Sequence, residues 1–261
     1  MAGKLKIIPL LLGEADVDSA LDVFWGLAKE HKVITVPILS FLVMVDDKPL
    51  ILVDTGFRSA ERVASVQRLG PHRTKPEWDL IAQLRAHGAD PRDIKYVILT
   101  HLHYDHAGRL LDIPNAQFIV QRRELMEAAA PRAPPGFEVG GGALFYDRQD
   151  VSILVDKLWD RLVILDGDEE IVPGVKCVLM RDSHTPGSQA VYVELERGRT
   201  AIIAGDIVRN VELNVKRQVP PALFYDLRAM QDALAKIKRD GEIVLPSHDY
   251  EIYHKYSAGV S

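Results

Sequence analysis

Tyr96-Val97-Ile98-Leu99-Thr100-His101-Leu102-His103-Tyr104-Asp105-His106-Ala107-Gly108 is an apolar, β-branched run that stops abruptly on a cluster of polar side chains. Four metal-type donors, His101, His103, Asp105 and His106, fall within six consecutive residues. Farther along stand His184, Asp206 and His248, each shortly after another apolar run. Imidazole and carboxylate are the donors that a borderline divalent ion takes. Seven donors exceed what one ion needs and suit two. On a turn leaving a strand, His101 and His103 alternate and can aim at one ion, while the adjacent Asp105 and His106 address a second. A distant histidine then completes each site, and a carboxylate such as Asp206 can bridge ions ~3.5–4 Å apart. Burying four such donors at the end of a strand without an ion would be costly. His31, His72, His87 and His254 lack this company and read as ordinary surface or core histidines.

Working outward, Leu5–Leu12 reads as a strand that ends at Gly13-Glu14-Ala15-Asp16. Ile34–Leu39, Phe41–Val45 and Leu50–Val53 read as a β-meander, with Asp46-Asp47-Lys48 as a turn. After Pro76, Leu80, Ile81 and Leu84 repeat at helical spacing and stop at Gly88. Further strands are expected at 118–120, 162–165, 175–179, 190–193, 201–204 and 243–245. A helix carries Leu227, Met230, Leu234 and Ile237, with Asp226 as its N-cap and Gly241 after its end. From Pro131 to Asp150 proline, glycine and aromatic residues accumulate, which reads as one long loop. Many strands with interspersed helices predict a single α/β (α+β) domain over residues 1–261 with both sheet faces covered.

Composition removes several function classes. Of 261 residues 47% are hydrophobic, enough for one sizeable core. Asp and Glu outnumber Lys and Arg by 37 to 32, net −5, with no polybasic run, which argues against nucleic acid as a partner. The apolar opening stretch contains Pro9 and lacks both a cleavage site and the ~20-residue length of a membrane span. No membrane partner is expected. The lone Cys177 forms no internal disulfide and reads as a small buried hydrophobe, in keeping with a cytoplasmic protein.

The motif His101-x-His103-x-Asp105-His106 with Gly108 is preceded by Leu52-Val53-Asp54-Thr55-Gly56. It is followed by Ser183-His184-Thr185-Pro186-Gly187-Ser188, Ala204-Gly205-Asp206 and Ser247-His248. In content and order this resembles the metallo-β-lactamase superfamily, over nearly the whole chain. The resemblance implies an αββα sandwich with two divalent metal ions, zinc foremost, at one edge. It implies His101, His103 and His184 on the first ion, Asp105, His106 and His248 on the second, and Asp206 bridging. It makes Asp54 a support behind the ligands; from local sequence alone Asp54 reads equally well as a turn residue. Asp206 stands where many zinc β-lactamases carry a thiolate. His103 stands where flavin-linked diiron proteins carry glutamate. The extra domains of the nuclease and glyoxalase-II-like branches are not seen.

Within the superfamily the chain is most similar to the N-acyl-homoserine lactonase group, including pyridoxolactonase-like enzymes. Supporting stretches are Val23-Phe24-Trp25, Pro37-Ile38-Leu39-Ser40, Val120-Gln121-Arg122-Arg123-Glu124 and Phe224-Tyr225-Asp226. Two departures stand out: Arg209 replaces a tyrosine that in those enzymes contacts the substrate carbonyl, and Ser183 replaces the first glycine of Gly-His-Thr-Pro-Gly. The implied reaction is lactone opening by a metal-bridging hydroxide, with Asp105 passing the proton to the leaving alkoxide. Arg209 reads either as a solvated surface arginine or as a cation for an oxyanion or substrate carboxylate. Tyr104 and Tyr225 are substrate-binding candidates, and Trp25, Phe145, Tyr146 and Phe224 either line an apolar pocket or simply pack. A small-molecule substrate is expected, and a homodimer stays open. The alternatives are a dinuclear hydrolase of a small cyclic amide, aryl ester or thioester, and a non-catalytic metal-binding or partner-binding module.

Overall fold

In a computed structural model the described residues are 3–22, 31–67, 69–131 and 145–261. Two sheets organise them. The first contains β1 (Leu5–Asp18), β2 (Val33–Val45), β3 (Lys48–Val53), β4 (His72–Arg73), β5 (Tyr96–Ile98), β6 (Gln117–Gln121) and β7 (Leu162–Leu165), in the order β4-β1-β2-β3-β5-β6-β7. The second contains β8 (Glu169–Val172), β9 (Val175–Leu179), β10 (Gln189–Glu194), β11 (Thr200–Gly205) and β12 (Ile243–Pro246), in the order β12-β11-β10-β9-β8. Strands β3, β5, β6 and β7 run parallel, as do β11 and β12; the remaining pairs are antiparallel.

Alternation of apolar residues sends one face of each sheet into a shared core. Ile7, Phe41, Val53 and Ile98 from the first sheet meet Val175, Cys177, Val191 and Ile203 from the second. The other face of the first sheet, through Leu42, Leu52, Val97 and Phe118, packs on Leu80 and Leu84 of the helix Leu80–Ala86. The outer face of the second, through Val178, Ile202 and Val244, packs on Met230, Leu234 and Ile237 of the helix Leu227–Asp240. The result is the expected αββα sandwich. Buried strand residues at about 25 cal/mol per Å² of apolar area supply most of the driving force. Asp226 caps the last-named helix by accepting from the Ala229 N–H at 2.8 Å. Among the described residues no helix is long and apolar enough to cross a membrane.

Three sequence expectations are corrected. The stretches 34–39 and 41–45 form one continuous strand, β2. Ser40 does not interrupt it, because its buried hydroxyl donates to the carbonyls of Val53 and Asp54 at 2.8 and 2.5 Å. Strand β1 continues to Asp18 across an irregularity between Leu11 and Gly13. A Cβ on Gly13 would lie 2.5 Å from the Phe57 ring and 2.8 Å from the Arg73 carbonyl, so only glycine fits at this bend. The loop predicted to reach Asp150 ends earlier: Asp147 accepts from the Gln149 N–H and starts the helix Arg148–Ser152. Trp25 and the Pro134–Gly142 stretch lie outside the described residues.

Candidate metal centre

Parallel strands discharge their chain ends at the same edge, and the polar cluster is built there. Asp54 follows β3, residues 101–106 follow β5, Asp206 follows β11 and His248 follows β12. His184 enters on the loop between β9 and β10. All seven predicted donors come together and all are buried. Their ligand atoms form three overlapping groups, each within 4.8 Å: His101 with His103 and His184; His101 with His106 and Asp206; Asp105 with His106 and His248.

Four of the five imidazoles are oriented from behind. Asp54 accepts from His106 Nδ1 at 2.8 Å, and from the Thr100 N–H and hydroxyl, both at 2.8 Å. Thr100 Oγ1 lies 3.1 Å from His101 Nδ1. The Pro37 carbonyl accepts from His248 Nδ1 at 2.8 Å, and that of Leu223 from His184 Nδ1 at 3.0 Å. With Nδ1 engaged, Nε2 is the atom that each of these rings turns inward. His103 differs, turning Nδ1 to within 3.2 Å of His184 Nε2. Nε2 of His101, His106 and His248 and Oδ1 of Asp206 are buried without a hydrogen-bond partner. Four buried orphans pointing at one another would be penalised in a purely structural cluster, and they match the donor set of divalent ions. The residues present therefore fit a metal centre.

Charge is divided unevenly across the cluster. Burial and neighbouring imidazoles push His101 and His103 well below the usual histidine range. Burial also lowers His184. Burial opposes a charge on His106, but the carboxylates of Asp206, Asp54 and Asp105 outweigh it and raise its pKa well above the ordinary value. Burial likewise opposes ionisation of Asp206, and the charges of His248, Arg209 and His106 overcome that and hold it well below the usual carboxylate range.

A cavity of about 430 Å³ opens onto the donors. Its walls include the apolar Val17, Val36, Leu69, Phe145 and Leu223. Tyr104 and Arg209 line it too. The His72 Nδ1–H donates to the Gly70 carbonyl at 2.8 Å, which leaves Nε2 to accept the Tyr104 hydroxyl at 2.8 Å. Arg209 is not a solvated surface arginine: it is buried and ion-paired with Asp206 through a short hydrogen bond. Tyr225 is not among the cavity-lining residues; it is 42% exposed and its N–H donates to the Ser183 carbonyl. Phe224 packs against the outer core of the second sheet, and the Tyr146 hydroxyl donates to Glu124.

Glu124, His72 and Asn214 were not singled out by residue type. Glu124 is fully buried and accepts from the Leu102 N–H, the Tyr146 and Thr185 hydroxyls and the Gly187 N–H. It thus ties the 101–106 turn to the loop of His184. A Cβ on Gly187 would fall 2.1 Å from the Glu124 backbone nitrogen, so that loop can approach only with glycine there. Ser183 is tolerated in place of glycine because the left-handed residue of the turn is Asp182, with φ 56°. The Ser183 hydroxyl donates to the Met180 carbonyl at 2.5 Å.

Residues 34–248 match the family model of the metallo-beta-lactamase superfamily. The chain belongs to that superfamily. Among curated superfamily relatives, the N-acyl homoserine lactonase AiiA of Bacillus thuringiensis subsp. kurstaki is 30% identical over 95% of this chain and 94% of its own. An N-acyl homoserine lactone hydrolase solved with N-hexanoyl-L-homoserine at its catalytic metal center superposes with a TM-score of 0.77 at 24% identity. That superposition covers 98% of this chain and 97% of the other. AidC, a dizinc quorum-quenching lactonase, superposes with a TM-score of 0.70 at 19% identity, over 95% and 88% of the two chains. These likenesses extend the metallo-β-lactamase sandwich over at least 95% of the chain.

Proposed function

We propose that this chain is a dinuclear metal-dependent hydrolase that opens lactone rings, with N-acyl homoserine lactones as the first class of substrate. The observation that carries the reading is the cluster of orphaned imidazole and carboxylate atoms, two of whose residues, Asp206 and His248, line a mainly apolar cavity. Curated relatives with this activity at 30% identity over nearly the full chain support it. In this reading His101, His103 and His184 hold one ion, Asp105, His106 and His248 the other, and Asp206 serves both. Zinc is our assignment. Two divalent ions held there would supply Lewis acidity, making bound water far more acidic than bulk water and polarising the substrate carbonyl.

The chain's own groups do the rest. Asp105 lines the cavity with one carboxylate oxygen 3.5 Å from His248 Nε2 and the other 3.8 Å from His106 Nε2. It takes the proton of the attacking water and returns it to the ring oxygen as the acyl C–O bond breaks. Tyr104, whose hydrogen is committed to His72, presents an oxygen lone pair to a substrate N–H. The Val17, Val36 and Leu69 wall takes an acyl chain. The same reading includes a cytoplasmic enzyme, supported by the buried single cysteine Cys177.

The test is hydrolysis of a panel of short- and long-acyl homoserine lactones, γ- and δ-lactones and an aromatic lactone, by protein whose metal content is counted in the same preparation. Ring opening with two ions per chain is expected. Two ions with turnover only of cyclic amides, aryl esters or thioesters would replace lactones with that class.

A further inference from the structure

Asp206 turns its two oxygens toward different neighbours. Oδ1 lies 3.0 Å from His248 Nε2 and 3.2 Å from His106 Nε2 and accepts no hydrogen bond. Oδ2 faces His184 Nε2 at 3.7 Å and is taken by Arg209 Nη1 in a short hydrogen bond. The Arg209 side chain is 6% exposed, and its backbone is held in place. Asn214 Oδ1 accepts from the N–H groups of both Arg209 and Asn210 at 2.8 Å, and Asn214 Nδ2 donates to the Val219 carbonyl at 2.7 Å. Arginine is not deprotonated in proteins, so a permanent positive charge is fixed beside the His101, His103 and His184 group.

We propose that Arg209 makes the two ion sites unequal, leaving the three-imidazole site the weaker and the last to fill. The inference rests on the dinuclear reading above. Three neutral imidazoles compensate none of a dication's charge, and the carboxylate oxygen nearest them already serves a cation. The other site has Asp105 and the free Oδ1 of Asp206, two negative charges against two positive. Like charge close to a partly desolvated ion lowers its affinity, and opposite charge raises it.

Zinc, and cobalt(II) as a spectroscopic probe, are added to the metal-free full chain in competition with a chromophoric chelator. Two binding steps separated by about tenfold or more are expected. His103→Ala abolishes the weaker step, and His248→Ala weakens the tighter one. Arg209→Met strengthens the weaker step until the two approach each other, whereas Arg209→Lys, which keeps the charge, keeps the separation. Circular dichroism checks that each variant folds, and the two histidine variants decide the filling order even if Arg209→Met does not fold. Two ions bound with equal affinity overturn this inference alone, as do an unchanged separation in Arg209→Met, a merged one in Arg209→Lys, or loss of the tighter step in His103→Ala. Uptake of fewer than two ions overturns the dinuclear reading as well. None of these outcomes depends on lactone turnover.

Discussion

The near half of the metal centre, residues 101–106, leaves a single strand, whereas the far half, His184, Asp206 and His248, arrives from three separate loops of the second sheet. The near half is steadied by buried side chains: Asp54 behind His106, Thr100 behind His101, and Glu124 on the Leu102 N–H. Two of the far donors lean instead on single carbonyls, Leu223 behind His184 and Pro37 behind His248. Asp206 leans on Arg209. The near half is thus fixed by side chains that follow strands of the first sheet, while the distant donors depend on the packing of one sheet on the other and on whatever they jointly hold.

Removing the ions should expose this contrast most strongly. Chelation is expected to lower the melting temperature through loss of about 4 kcal/mol if ions are present near a thousand times their Kd, and zinc should restore it. Hydrogen exchange should then rise more at 183–187 and 206–210 than at 100–106; a uniform rise would end the distinction between the halves. Asp105→Asn tests chemistry at the near half: turnover should fall by roughly 10²–10⁴ with both ions retained. A near-normal rate would remove its role in proton transfer.

Glu124→Ala cuts a side chain that grips both halves, and leaves four donors without their acceptor. A loss of about 1–3 kcal/mol in denaturant unfolding is expected. Faster exchange should appear at residues 185–187; loss confined to 101–102 would show that the far loop does not need it. Tyr104→Phe should raise KM for amide-bearing lactones by a few fold, about 0.5–1.5 kcal/mol, with kcat little changed. Lactones without an N–H should be indifferent.

The smallest effect concerns pH. Burial lowers the His72 pKa, against Asp105, which raises it, so the folded state prefers the neutral ring that accepts from Tyr104. Its stabilising contribution is complete above the ordinary histidine value of ~6.5 and is lost as pH falls below it. The melting temperature advantage of wild type over His72→Asn should narrow from pH 8 to pH 5. A constant difference would separate His72 from the Tyr104 contact.

Residue type and spacing made the donors legible because imidazole and carboxylate clusters at strand ends have few other uses. Strand alternation and helix caps such as Asp226 were equally readable, being local chemistry. Ser40 concealed the continuity of β2, since whether a mid-strand hydroxyl breaks a strand depends on carbonyls supplied by a neighbouring strand. His72 looked ordinary because its partner, Tyr104, is distant in sequence.

Strands interspersed with helices, seven imidazole and carboxylate residues at the ends of apolar runs, and a net charge of −5 were legible in the sequence, because hydrophobic period, side-chain type and charge are properties of the residues themselves. Tertiary structure alone decided that Arg209 is buried against Asp206, that Tyr225 lies off the cavity wall, and that Glu124 binds the two halves together. Burial and pairing are relations between segments far apart in the chain, and these segments meet only when the two sheets pack.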